Sequence, residues 1–68
     1  MNAMDRKIVE ICDQDHGELS YIAEEIAKSE LETLRMIQKL VKEGYLKALG
    51  AEFWYATVKG HDALQGKK

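Results

Sequence analysis

LVKEGYLKALGAEFWYATVKG, residues Leu40 to Gly60, contains one change of periodicity and two places where the chain must turn. Leu40 and Val41 close an apolar stripe at helical spacing, and Gly44 reads as the left-handed cap that ends a helix. Beyond it, YLKAL and EFWYAT are short runs rich in aliphatic and aromatic residues, parted by Gly50 and Ala51. That pattern predicts a β-hairpin whose first strand ends near Leu49. Alternation in the second strand sends Trp54 to one face and Phe53 and Tyr55 to the other. Thr57 is placed to cap a last short helical piece, with Leu64 returning to the core and the final GKK fraying.

Working back from Leu40, the helix it ends runs over about residues 29–43. Ser29 followed by Glu32 is a capping box: the serine oxygen accepts from a free N–H of the first turn, and the glutamate reaches back to the serine N–H. Glu30 and Glu32 also suit the positive end of the helix dipole. Leu34, Ile37, Leu40 and Val41 form one face with Leu31 and Met36 on its flanks, while Glu32, Arg35, Lys39, Lys42 and Glu43 lie opposite. Two further helices precede it. Met4, Ile8, Ile11 and Cys12 recur at helical spacing before an exit at Asp15, His16 and Gly17. Ser20 reads as the N-cap of a short second helix striped by Ile22, Ala23, Ile26 and Ala27.

A chain of 68 residues without proline, repeat or low-complexity segment is expected to be one domain, residues 1–68. It is near the lower limit for a single core, and any catalytic cleft would be very small, so an enzyme is not expected. A lone cysteine excludes an intramolecular disulfide and any zinc site of several thiolates. The N-terminus has no long apolar run, and no apolar stretch approaches the roughly 20 residues of a membrane span. These features predict a soluble protein of the reducing cytoplasm with no membrane partner. The net charge of −2 is unevenly spread. Residues 1–28 carry seven acids against three bases, whereas residues 29–68 carry seven bases against five acids.

Three helices, the third ending in L-V-K-E-G-Y-L, followed by a hairpin ending in W-Y-A-T-V-K-G, form an order that resembles the winged helix-turn-helix domains of bacterial, archaeal and phage transcription regulators. The resemblance runs from about Lys7 to Leu64. Leu40 to Leu46 and Thr57-Val58-Lys59-Gly60 carry it, and both motifs are loose. It implies a mainly α fold with a two-stranded wing and a short C-terminal helical piece. It also implies a DNA-binding transcription regulator whose third helix enters the major groove of duplex DNA, with many such proteins working as homodimers. Carried over by position, the contacts would come from Arg35, Lys39 and Lys42, with Gln38 at the edge, Ser29 and Thr33 near the front, and Lys47 on the wing. In two respects the sequence departs from the pattern: Glu30 and Glu32 stand where small polar or basic residues are usual, and the wing tip L-G-A-E has no arginine or lysine.

Each of these side chains also has a plainer explanation. Glu32 with Arg35 and Lys39 with Glu43 are helix neighbours of opposite sign, which would stabilise a solvated face by roughly 0.2–0.5 kcal/mol per pair. Lys42 and Lys47 would keep a helix and an edge strand soluble as readily as they would hold phosphate. The aromatic run is expected to seal the core through Trp54, leaving whichever of Phe53 and Tyr55 stays exposed as a dimer contact, or as a platform for single-stranded bases. Cys12 and His16, four apart, with Asp13, Asp15 and His61 as extras, have a spacing that a metal uses. Two ligands make no site, Cys12 sits on the apolar stripe, and neither metal nor cofactor is expected. The alternative to a DNA-binding protein is a winged-helix module that docks on a protein partner.

Overall fold

The computed structural model describes residues 1–15 and 17–66, so His16, Lys67 and Lys68 lie outside the described residues. The elements follow in the order α1 (Ala3–Gln14), β1 (Gly17–Glu18), α2 (Leu19–Ile26), α3 (Glu30–Lys42), β2 (Leu46–Ala48), β3 (Phe53–Ala56) and α4 (Val58–Leu64). Among the described residues, four helices and a small antiparallel sheet containing a hairpin agree with the winged-helix expectation. The sheet has three strands rather than two, ordered β1-β3-β2, because Gly17 and Glu18 pair with Trp54 and Phe53. A two-residue strand is too short to show a period in the sequence.

That extra strand also displaces the expected cap of α2. The backbone N–H of Leu19 donates to the Glu52 carbonyl at 3.0 Å, so a donor at the helix start is already satisfied. The helix therefore begins at Leu19 with Glu18 as N-cap. Ser20, the residue expected to cap, sits inside the first turn and donates to Glu18 Oε1 at 3.2 Å.

The core joins all layers: Ile8, Val9 and Cys12 from α1, Ile22 and Ile26 from α2, Ile37 and Leu40 from α3, and Leu46 and Trp54 from the hairpin. Trp54 is buried, Phe53 is half-buried and Tyr55 is exposed, as the alternation requires. Burial pushes the Cys12 thiol up to about 12, only partly opposed by a backbone hydrogen bond from Gly17. Gly17 has no room for a side chain, since a Cβ there would come within 2.6 Å of Cys12 Sγ and 2.7 Å of Ile22 Cδ1.

α3 is fixed at both ends. At its start Ser29 Oγ accepts from the Glu32 N–H at 3.1 Å and donates to Glu32 Oε1 at 3.3 Å, so the glutamate meets the serine hydroxyl rather than the expected backbone N–H. At its end Gly44 takes φ +88°, with Tyr45 N–H on the Leu40 carbonyl at 2.9 Å and Gly44 N–H on the Val41 carbonyl at 3.0 Å. This is a Schellman termination, a conformation that favours glycine.

Thr57-Val58-Lys59-Gly60 explains itself against that terminus. Thr57 Oγ1 accepts from Gly60 N–H at 3.1 Å, capping α4, and donates to the Gly44 carbonyl at 2.5 Å. Lys59 Nζ donates to the Glu43 carbonyl at 2.6 Å and lies 4.7 Å from the centre of the Tyr45 ring. Gly60 is buried where a Cβ would collide with the Tyr45 carbonyl oxygen. The motif thus supplies donors to carbonyls left free at the C-terminus of α3 and locks that helix to the hairpin and α4. Across the molecule Arg6 donates to the carbonyls of Ala63 and Leu64, tying α1 to the end of α4.

Candidate nucleic-acid interface

α3 presents two unlike sides because its apolar residues fall at helical spacing. Thr33, Ile37 and Leu40 are fully buried, whereas Leu31, Glu32, Arg35, Gln38, Lys39, Lys42 and Glu43 are exposed. At 3.6 residues per turn, Leu31, Arg35, Gln38 and Lys42 fall within an arc of roughly 60°, with Lys39 just beyond it. Arg35, Gln38 and Lys42 lie on this arc without a hydrogen bond or ion pair to any described side chain. They are exposed donors of the kind that meets phosphate oxygens and base edges.

Lys39 is differently engaged. Its Nζ lies 4.0 Å from Asp5 Oδ2 of α1, with the lysine side chain 61% exposed and the aspartate 7%. The sequence suggested Glu43, one turn along the same helix, as its partner; a contact 34 positions away leaves no mark in local spacing. Lys47 projects from β2, opposite Tyr55 in the ladder, and both are exposed. β2 packs against α3, which fixes the hairpin to the helix.

Two of the expected contacts at the front of the helix change role. Thr33 is not on the exposed side: it is fully buried, and its Oγ1 donates to the Ser29 carbonyl at 2.8 Å. It lies about 200° around the helix from Leu31, on the side of Ile37 and Leu40. Ser29 is exposed, but its hydroxyl is engaged with Glu32 in the cap. The residue the sequence set on the flank of the buried face, Leu31, is 61% exposed. The signal for it was present in the 31-35-38-42 spacing, which puts Leu31 with the polar residues.

Of the residues with metal-ligand chemistry, Cys12 faces the core, His16 lies outside the described residues, and Asp13 meets His61 across α1 and α4 with Oδ2 to Nδ1 at 2.9 Å. Among the described residues no group of three His, Cys, Asp or Glu side chains is assembled to hold a metal. No helix among them is long and apolar enough to cross a membrane.

No protein-family model and no curated protein matches the sequence. Among solved structures, a mutant form of ZitR from Lactococcus lactis superposes on 97% of this chain with a TM-score of 0.79 and 18% identity. The likeness is one of fold. The chain spans 49% of the length of that ZitR chain.

Proposed function

We propose that this chain binds duplex DNA as a transcription regulator, laying the exposed side of α3 in the major groove with the β2–β3 hairpin against the backbone. The observation that carries the reading is the division of α3: its buried side holds Ile37, Leu40 and a Thr33 whose hydroxyl is satisfied within the helix, and its exposed arc carries Arg35, Gln38 and Lys42 without a described partner, with Lys39 beside them. Arg35 is suited to the N7 and O6 edge of guanine, and the lysines to phosphates. So few cations per copy favour a homodimer reading two half-sites. This is a binding activity rather than catalysis.

The test is fluorescence anisotropy of labelled duplex at 50 and 200 mM salt. Three phosphate-facing lysines per copy (Lys39, Lys42, Lys47) would give a log–log salt slope of about −3 per bound chain. Arg35→Glu with Lys39→Glu should abolish binding. Absence of binding at low salt would instead favour a docking module, a reading supported by the exposed Leu49 and Tyr55 on a hairpin whose tip carries no cation. Loss of a protein partner on changing Tyr55, with no effect of Arg35→Glu, would establish it.

A further inference from the structure

We infer that Leu31 is a specificity-determining residue, packing its side chain on the 5-methyl group of a thymine in the major groove. The inference rests on the DNA-binding reading above.

Its position comes first. Leu31 is 61% exposed in the first turn of α3, and Thr33, two residues on, is wholly buried, which fixes the side of the helix on which Leu31 stands. It leads a stripe through Arg35, Gln38 and Lys42 that extends about 16 Å along the helix, a length that lies within a major groove. In a recognition helix the N-terminal residues are the ones that reach base edges. Glu30 and Glu32 are set roughly 100° to either side of Leu31, so the leading end of the stripe is apolar rather than acidic. Glu32 is also held by Ser29 in the cap.

Chemistry then selects the ligand. An aliphatic side chain neither donates to nor accepts from a base edge, and the thymine methyl is the one apolar group that the major groove displays. Against cytosine the same leucine would shield the N4 amino group from water and offer it no acceptor. Leu31 therefore favours thymine over cytosine at the base step it covers, while Arg35, one turn on, is free to take a guanine.

The experiment removes the methyl group from the DNA side of the contact and the branched aliphatic end of Leu31 from the protein side. A target duplex is selected from a random pool with the parent protein, and its thymines are replaced singly by uracil, which lacks only the 5-methyl group. Affinity for each duplex is measured with the parent, Leu31→Ala and Leu31→Gln. One thymine should show a loss of about fourfold on replacement by uracil, the size expected for one buried methyl. Both variants should bind the thymine duplex more weakly and should not distinguish it from the uracil duplex. Circular dichroism should show unchanged folding, since Leu31 lies outside the core. Equal affinity for thymine and uracil at every position would overturn the assignment, as would a uracil effect that persists in both variants. Failure to select any duplex would overturn the DNA-binding reading and this inference with it.

Discussion

Thr33→Val separates an outward, DNA-contacting role for this residue from an inward, structural one. In the fold its hydroxyl is fully buried and donates to the Ser29 carbonyl at 2.8 Å, an oxygen that also accepts the Thr33 N–H at 2.9 Å. Valine keeps the shape and β-branching but removes the donor. The carbonyl retains its backbone partner, so no buried group is orphaned and the loss is that of one ordinary neutral hydrogen bond, about 1 kcal/mol. For a domain of this size such a loss lowers the melting temperature by about 4–8 °C. Trp54, the one tryptophan and part of the core, reports unfolding by fluorescence in heat or urea. DNA affinity measured well below the melting temperature should be unchanged. Gln38→Ala should give the opposite pattern, with stability retained and duplex binding weakened. A Thr33→Val protein as stable as its parent but poorer in DNA binding would refute the inward placement of Thr33 and the orientation of α3 built on it.

Three other perturbations probe separate links. Gly60→Ala drives a Cβ into the Tyr45 carbonyl, a backbone atom that cannot swing aside, so unfolding should require at least about 1–3 kcal/mol less in a urea titration; parental stability would refute the close approach. The Cys12 thiol is ordinarily near 9 and is held up to about 12 in the fold, so the unfolded chain ionises first as pH rises. Its contribution to stability is full below pH 9 and is lost as pH climbs towards 12; Cys12→Ala should show a weaker decline over this range than the parent. Asp5→Asn removes the carboxylate 4.0 Å from Lys39 Nζ. Discounted for the exposure of that lysine, it should raise duplex affinity by about two- to fivefold, and the gain should vanish when Lys39→Gln is added.

What the sequence made legible divides along physical lines. Features set by neighbours in the chain were readable: the Ser29 cap, the Gly44 terminus, the hairpin with Trp54 turned inward, and the Thr57 cap all depend on spacings of a few residues. Features set by distant neighbours were not. β1 exists because β3 offers it an edge, and α2 starts at Leu19 because the Glu52 carbonyl takes its N–H. The partnership of Lys39 with Asp5 likewise depends on how α1 crosses α3. The error at Thr33 had a different origin. The winged-helix resemblance carries Thr33 to the groove side by position, but a hydroxyl that bonds the carbonyl four residues back is satisfied within its own helix and is free to enter a core. Leu31 is the mirror of that case, an aliphatic residue set on the flank of the buried face by its type although its angular position belongs with Arg35 and Lys42.

The same geometry governs the approach of a chain of net charge −2 to a polyanion. Its acids are concentrated in the first 28 residues, in and around α1 and α2, whereas four of its cations lie on α3 and the hairpin. At physiological ionic strength the Debye length is about 8 Å, close to the spacing of packed helices, so an acid one helix away from the groove is largely screened while a lysine against a phosphate is not. At 0.01 M salt the Debye length is about 30 Å, and a molecule with extents of 32 × 24 × 20 Å then acts on DNA with its whole charge. In the proposed complex, counterion release by the α3 cations and repulsion by the acids of α1 and α2 therefore oppose each other in dilute buffer. Near physiological salt, the repulsion from α1 and α2 is screened and what remains is release by the α3 cations against the two acids of its own first turn, Glu30 and Glu32. The salt slope of duplex binding should accordingly steepen as ionic strength rises, and the local charge of α3, rather than the sign of the net charge, decides whether the chain binds.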